Sequence, residues 1–572
     1  MKILLIDNNC GRINTLINII YKYSINVDVI SPTQYANPND YDWVILTGTD
    51  IAPHLNLDYY SKEIELVKNC KVPLLAICGG HHLLNLAFNG TIKSLDQAIY
   101  GKIEFNKGSD IFCDYKQEKY FTKNRYVIDK LSTEFISIAE YKENIYAIKH
   151  KEKPLYGCQI HPERGKNKHY FFENFFNKVV QYNKYASERI TRLSVNNFKG
   201  KILNKKTDNV FSKIDMGEGN PDIQPNERII KQLHNFCLEK DIINTYPSRR
   251  GSRILQNALK NYYTKNKGYV LDDNTVFMPT LGSKEVMAHT TLAFLNRGDT
   301  ILIPQIAYPF YRRAAEYAGA AIFDVPVDRR YIPLIDRVSE DVLKKAKMMW
   351  INYPNNPTGA MIEQSDLIHL YNKCLEYDII LCNDMAYESI VNIDNKNSSS
   401  LFMTNENTKN YIELHSFSKS YSIPGWRTGF ILGQNYLIDL IESSKSVFDT
   451  GLFIGFQKMI VYLLKNEDVF KEEIRIAYKE RAEYFTNEMK KLGFDVNKSE
   501  GTPYSWVKTP ANYTSSEFVD LLYEKCNIII LSGEVFGTAG TGYIRFSLTQ
   551  PMHILEEAIS RIRCLLVEMS DR

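Results

Sequence analysis

The chain has 572 residues, more than one globular core usually holds, so several domains of roughly 100–200 residues each are expected. Apolar residues make up 44% and charged residues 24%, a balance that excludes a disordered or fibrous chain. Lys+Arg (70) and Asp+Glu (67) nearly cancel, and a net charge of +3 leaves no cationic surplus for a nucleic-acid backbone.

The opening run Lys2–Ile6 meets Asp7, Asn8 and Asn9 at once, which predicts a buried first strand rather than a signal peptide. Further strands are expected at Val27–Ile30, Trp43–Thr47 and Pro73–Ile77, with helices at Gly11–Tyr23 and Tyr59–Cys70 between them. Such alternation predicts a parallel sheet covered on both faces. A strand at Leu155–Ile160 and a helix at Tyr170–Tyr182 close this first unit near residue 184. Residues 185–209 are polar, basic and without period, and read as a linker.

Alternation resumes in a second unit, 210–572. Strands are predicted at Asn274–Met278, Thr300–Ile303, Ala321–Val325, Met348–Asn352, Ile379–Cys382 and Tyr411–His415, and helices at Lys284–Leu295, Phe310–Ala318 and Glu363–Tyr377. This α/β part spans about 230–440. Long amphipathic helices follow, above all Glu467–Leu492, then short strands at Asn527–Leu531 and Gly542–Leu548 and a final helix, which predicts a smaller α+β part over 441–572 joined by the N-terminal segment of this unit. No apolar run reaches the roughly 18 residues of a membrane span. The ten cysteines are scattered with no Cys-x-x-Cys pair, as expected for free thiols in the cytoplasm.

Two constellations carry chemistry. In Leu74-Leu75-Ala76-Ile77-Cys78-Gly79-Gly80-His81-His82, Cys78 follows an apolar strand and two glycines open a helix. A thiol on that elbow faces the positive end of the helix, which suits an anionic nucleophile. The N–H of Gly79 is a candidate oxyanion donor. Gly157-Cys158-Gln159-Ile160-His161-Pro162-Glu163 ends another strand with a base and a carboxylate, so Cys78, His161 and Glu163 form a candidate nucleophile, base and orienter. A lone cysteine is more often a small buried residue. The conjunction with the elbow and the His-x-Glu strand end is what favours chemistry.

Residues 1–184 resemble a class I glutamine amidotransferase domain, a flavodoxin-like α/β fold whose elbow reads Gly-Ile-Cys-x-Gly-His-Gln and whose strand end reads Gly-x-Gln-Phe-His-Pro-Glu. The resemblance implies that Cys78 attacks a glutamine side-chain amide, with His161 relaying the proton, Glu163 orienting it and Gly48, in the stretch aligned with the family's oxyanion loop, joining Gly79 as an oxyanion donor. Two departures bear on the amide: His82 stands where the family has Gln, and Thr49-Asp50 stand where it has Gly-Pro.

The second constellation is Ser416-Phe417-Ser418-Lys419-Ser420, with Arg427 further along the same loop. A lysine flanked by hydroxyls and an arginine suits an aldehyde cofactor bearing a phosphate. Asp384 can keep a cofactor ring nitrogen protonated, and Tyr387 follows it. Asn355-Asn356-Pro357-Thr358-Gly359 caps another strand end, where open parallel sheets bind ligands, and Gly282-Ser283-Lys284 opens a helix as an anion site. Each piece alone is an ordinary turn. Their order at successive strand ends is the signal.

This unit resembles the fold-type I, class I/II aminotransferases that use pyridoxal phosphate. The resemblance implies Lys419 as the Schiff-base lysine, Asp384 at the pyridine nitrogen and Tyr387 with Asn356 at the ring hydroxyl. It implies Gly282, Ser283, Lys284, Ser416, Ser418 and Arg427 at the phosphate, and Tyr308 stacked on the ring. Tyr246 would reach the phosphate of the neighbouring subunit, so a homodimer is implied. Gly219 lies in the entrance segment, and Arg545 would grip the substrate α-carboxylate, as an arginine in an apolar strand needs an anion. Arg249 and Arg250 lie near the expected mouth. The substrates implied are an amino acid and a 2-oxo acid, with glutamine a further candidate.

Three readings of the fusion remain open. One is a bifunctional enzyme, in which glutamine gives its amino group and the keto-amide is then hydrolysed. Another adds ammonia released from glutamine to an intermediate on the cofactor, and the third makes the first unit an idle docking module. The presence of all three of Cys78, His161 and Glu163 argues against the third.

Overall fold

The computed structural model describes residues 2–9, 11, 13–21, 26–49, 51–103, 107–108, 120–164, 171–172, 175, 187, 189–190, 211–394, 398–404 and 408–570. The chain divides into two units, Met1–Val195 and Asn196–Arg572. Most of the helix expected over 170–182 and of the linker expected over 185–209 lies outside the described residues.

In the first unit the strands are β1 (Lys2–Ile6), β2 (Asn26–Ile30), β3 (Trp43–Leu46), β4 (Leu74–Ile77), β5 (Thr91–Ile103), β6 (Lys107–Gly108), β7 (Tyr120–Lys130), β8 (Phe135–Tyr141), β9 (Asn144–His150) and β10 (Leu155–Cys158). Eight of them form a sheet in the order β2-β1-β3-β4-β10-β9-β8-β6. The first five in that order are parallel, whereas β9 runs against β10 and β8 against β9. β5 and β7 pair as a separate antiparallel ribbon.

Successive residues of a strand point to opposite faces, and here both faces are buried. Ile3, Leu5, Ile45, Leu75 and Ile77 pack on one face with helix α1 (Ile13–Tyr21). Leu4, Ile6, Val44, Leu46 and Ala76 pack on the other with α2 (Ser61–Asn69) and α3 (Gly79–Ala87). The near-continuous apolar runs of β1, β3 and β4 follow from that double burial.

In the second unit β12 (Thr275–Thr280), β13 (Thr300–Pro304), β14 (Ala321–Val325), β15 (Ala346–Asn352), β16 (Ile380–Asp384), β17 (Tyr411–Ser416) and β18 (Gly429–Gln434) form a seven-stranded sheet, ordered β12-β18-β17-β16-β15-β13-β14. β18 runs against both its neighbours, and the pairs from β17 to β14 are parallel. The same alternation recurs: Met349 and Ile351 face one core, Met348 and Trp350 the other. Helix α4 (Ser283–Phe294) follows β12, and α5 (Pro309–Ala318) follows β13.

The short strand β11 (Ile214–Asp215) pairs with β20 (Ile528–Ile529), tying the start of this unit to its end. β19 (Tyr504–Lys508), β22 (Tyr543–Ser547) and β21 (Leu531–Ser532) form a three-stranded antiparallel sheet backed by α6 (Asp468–Lys491) and α7 (Met552–Ser570). Among the described residues no helix is long and apolar enough to cross a membrane.

The elbow after β4 depends on close approach. A Cβ added at Gly80 would lie 2.9 Å from Leu46 Cβ and 3.0 Å from the Leu46 carbonyl oxygen, a backbone atom at the buried end of β3. Gly80→Ala should therefore destabilise the first unit by about 1–3 kcal/mol through overpacking, measured by urea unfolding.

Candidate active sites

In the first unit Cys78 ends β4 and caps α3, with φ 51° and ψ −107°. Such an angle pair is costly for a residue with a Cβ and aims the side chain off the sheet edge. Its N–H donates to Cys158 O at 2.7 Å, and its carbonyl accepts from the N–H of His81 at 3.0 Å. Gly48 makes room opposite: a Cβ there would lie 3.8 Å from Cys78 Sγ and 3.5 Å from His161 Cε1. His161 Nδ1 is 2.9 Å from Glu163 Oε1. Burial pushes the imidazole down, but its hydrogen bonds to Cys78 and Glu163 outweigh that and hold it up at about 9.

The two departures from the family motif are also placed. His82 is buried and held down at about 4 by burial, hence neutral, with Gln159 beside it opposing that shift. Gln159 Nε2 in turn donates to Asn124 Oδ1 at 3.1 Å and lies 3.9 Å from Cys78 Sγ. Thr49 packs against Gly79, where an added Cβ would meet the Thr49 side chain and backbone nitrogen. Asp50 lies outside the described residues.

In the second unit a cavity of about 670 Å³ opens at the carboxyl ends of the parallel strands. It is lined by Gly219, Ser283, Lys284, Tyr308, Asn356, Asp384, Tyr387, Ser416, Ser418, Lys419, Arg427 and Arg545, so the structure gathers nearly every residue expected there. Register explains the gathering. Asn352 on β15 sits opposite Asp384 on β16, Asp384 opposite Leu414 on β17, and Ser416 opposite Gly429 on β18.

Asp384 is pushed up to about 6 by burial, against hydrogen bonds from Tyr311 (2.7 Å to Oδ2) and the N–H of Ala386 (3.2 Å to Oδ1). Burial holds the Lys419 ammonium below its usual range; Tyr504 opposes that, while Arg545 and Arg427 add to it. Lys419 Nζ donates to the Gly219 carbonyl. Asn356 Nδ2 donates to Tyr387 Oη at 3.4 Å, and Asn356 Oδ1 accepts from Arg545 Nη1 at 3.0 Å. Arg545 is buried and also donates to the Gly217 carbonyl, yet its Nε has no partner among the described residues. Ser416 Oγ accepts from the Ser418 N–H at 3.2 Å, and Arg427 occupies the space that a Cβ on Gly282 would fill.

This donor set fits pyridoxal phosphate on the structure's own terms: a half-buried lysine kept below its usual pKa, a buried carboxyl that gains from a cationic ring nitrogen, and an arginine with a buried donor unspent. Tyr246 does not line the cavity and is 86% exposed. Arg249 pairs with Glu442, and Arg250 with Glu442 and Asp439, so neither faces the cavity.

Sequence reasoning missed three residues. Tyr311 is the donor to Asp384, and Asn352 Nδ2 donates to the Asp384 carbonyl at 2.6 Å. Tyr504 lies 3.2 Å from the Tyr387 hydroxyl, with the Arg545 guanidinium 4.1 Å from its ring centre. Tyr311 sits one turn past Tyr308 in the Tyr-Pro-Phe-Tyr run, a signal that was there to find.

Comparison with known proteins agrees with this division. The family model "Aminotransferase class I and II" matches residues 212–562, and "Glutamine amidotransferase class-I" matches residues 4–179. The LL-diaminopimelate aminotransferase of Aquifex aeolicus is 38% identical over 354 residues, covering 62% of this chain and 91% of that protein. LL-diaminopimelate aminotransferase 2 of a Nostoc species is 34% identical, covering 63% and 94%. Among solved structures, substrate-bound BacF of Bacillus subtilis superposes with a TM-score of 0.59 at 30% identity, covering 62% of this chain and 90% of that one.

The raised pKa of His161 has a consequence for stability. Relative to an unfolded imidazole near 6.5, it contributes stability that is complete below that pH and is lost as pH rises through about 9. Resistance of the full-length protein to urea unfolding should fall over that window, and its pH dependence there should weaken in His161→Ala.

Proposed function

The chain belongs to the class I and II aminotransferases, with a class-I glutamine amidotransferase domain ahead of the aminotransferase domain, and on that footing we propose a bifunctional enzyme: a pyridoxal-phosphate-dependent transaminase of an amino acid and a 2-oxo acid, joined to an amidase that hydrolyses a side-chain amide. The observation that carries the reading is the convergence of Lys419, Asp384 and Arg545 on one cavity.

Pyridoxal phosphate, when bound, supplies the electron sink that lets an amino acid lose its Cα proton. Lys419 would hold the cofactor aldehyde carbon and, once displaced by substrate, carry that proton on Nζ. Burial, which lowers its pKa, favours the neutral amine that a base requires. Asp384 would keep the ring nitrogen protonated, and Tyr387 with Asn356 would orient the ring hydroxyl. Ser283, Ser416, Ser418, Arg427 and the backbone at Gly282 would hold the phosphate at the start of α4. Tyr308, half-buried on the cavity wall, would stack on the ring. Arg545 would take the substrate carboxylate as a fork, filling its unspent donor. LL-Diaminopimelate, named for the relatives, is the first amino donor to test.

In the first unit, His161 would take the proton of Cys78 and return it to the leaving nitrogen, with Glu163 fixing the ring. The N–H groups of Gly48 and Gly79 would receive the oxyanion. Eight free cysteines among the described residues accord with a cytoplasmic setting.

One paired experiment tests both halves. Borohydride should fix the cofactor on Lys419. Lys419→Ala should lose transamination by about 10³-fold or more while amide hydrolysis persists, and Cys78→Ala should do the reverse. Ammonia release surviving in Cys78→Ala would sink the amidase assignment, and an adduct on another lysine would sink the cofactor assignment.

We further propose a homodimer built by the second unit. Tyr246 is too exposed to serve its own cavity, and Ile254, Val447 and Phe448 present apolar surface at 68%, 79% and 62% exposure. Light scattering should give twice the chain mass, and Tyr246→Phe should weaken cofactor retention several-fold by loss of about one charge-assisted hydrogen bond.

A further inference from the structure

The site in the first unit rests on a second layer of polar groups that the triad does not use. Glu63, on α2, is completely buried. Its Oε1 accepts a hydrogen bond from Asn8 Nδ2 at 3.0 Å, and its Oε2 has no partner among the described residues. The same Asn8 amide donates to the Thr47 carbonyl at 3.2 Å, and the Asn8 backbone N–H donates to Thr47 Oγ1 at 2.9 Å. Thr47 immediately precedes Gly48, which faces both Cys78 and His161. The far side of the same loop is held from the start of α2, where the Tyr60 hydroxyl lies 2.8 Å from Thr49 Oγ1 and donates to the Ile51 carbonyl at 3.2 Å.

We propose that Glu63 is a positioning residue of the amide site: through Asn8 it fixes the end of β3, so that the Gly48 backbone stays aimed at the carbonyl oxygen of an amide attacked by Cys78. This rests on the amidase reading above. Packing alone does not account for a carboxyl here. The surrounding layer is apolar, with Leu4, Ile6, Leu46 and Leu66 in it, and a buried acid with one partner costs stability that a leucine would not. What the acid adds is a hold on Asn8, whose two bonds to Thr47 join the backbone bond from the Thr47 N–H to the Ile6 carbonyl (3.1 Å) in tying the end of β1 to the loop that carries Gly48. Burial pushes the carboxyl up to about 8, with the Asn8 bond pulling the other way, so near pH 7 it is uncharged and its carbonyl oxygen serves Asn8. A glutamine offers the same oxygen.

Two electrophiles separate aiming from folding. A chloroketone analogue of glutamine alkylates Cys78 with loss of chloride, after its carbonyl oxygen has been polarised by the oxyanion donors. Iodoacetamide alkylates the same sulfur by direct displacement of iodide and needs no such donors. In the full-length protein, Glu63→Leu should slow chloroketone labelling of Cys78 by about 10- to 100-fold while iodoacetamide labelling stays within about twofold. Glu63→Gln should label with both reagents like the wild type. Should Glu63→Leu fail to fold, Asn8→Ala, which cuts the same path, should show the same selective loss. Equal slowing with both reagents, or no slowing with either, overturns the proposal. A wild type whose Cys78 reacts with the chloroketone no faster than its other cysteines removes the amidase reading, and this proposal with it.

Discussion

A parallel strand buried on both faces can present polar chemistry only where it ends. Inside the sheet its N–H and C=O groups are spent on neighbours and its side chains on two cores. At the carboxyl edge the ladder stops, the next helix begins with unpaired N–H groups, and side chains of adjacent strands come level. Both units of this chain follow from that constraint. β4 ends in Cys78 and α3, and β12 ends just before Gly282 and α4. β15, β16 and β17 end in Asn352, Asp384 and Ser416. The antiparallel β18 is what lets β12 and β17 finish at the same edge, because Gly429 faces Thr280 on one side and Ser416 on the other.

The second unit contrasts a saturated charge network with an unsaturated one. Behind the cavity, His415 lies between Glu388 (3.3 Å) and Glu413 (3.2 Å) and stacks on Phe430. Burial alone would neutralise both groups. The attractions win: the two carboxylates hold the imidazole up at about 9, and Lys267, followed by His415, holds Glu388 down at about 2. Tyr263 and Tyr411 donate to the same carboxylates, so the network is closed and contributes rigidity beneath the sheet edge. In the cavity the balance is reversed: Asp384 is pushed up, Lys419 down, and Arg545 keeps a donor unspent. A site left in that condition gains most from a ligand that brings a cationic ring nitrogen, an aldehyde and anions.

Most of this architecture was legible in the sequence, and the gaps have physical causes. The β-α alternation read correctly because double burial makes the parallel strands continuous apolar runs. Strands β5 to β9 did not register. Their residues alternate irregularly, and buried polar groups such as Thr122 and Asn124 break the pattern of β7. The candidate-site motifs could be read because they are contiguous: Cys78 with its glycines, His161 with Glu163, Lys419 with its serines. Glu63 could not, since in Ser-Lys-Glu-Ile-Glu-Leu-Val it reads as one more solvent charge, and only the fold brings Asn8 to it. Tyr504 lies on a short strand with no motif, and its partners Tyr387 and Arg545 come from distant parts of the chain.

The geometry of the first site is set by one strand pair more than by any single residue. β4 and β10 run parallel in register from Leu74 with Leu155 to Ile77 with Cys158, and the next rung is the hydrogen bond from Cys78 N–H to Cys158 O. The backbone of Cys78 is therefore an extension of the ladder that also carries the chain to His161. Cys78 holds its unfavourable φ of 51° because both its peptide groups are fixed, the N–H by β10 and the carbonyl by the first turn of α3. Relaxing that angle would break the rung or unwind the turn. Thiol and imidazole are thus brought together by the sheet itself, and their contact does not depend on the freedom of either side chain.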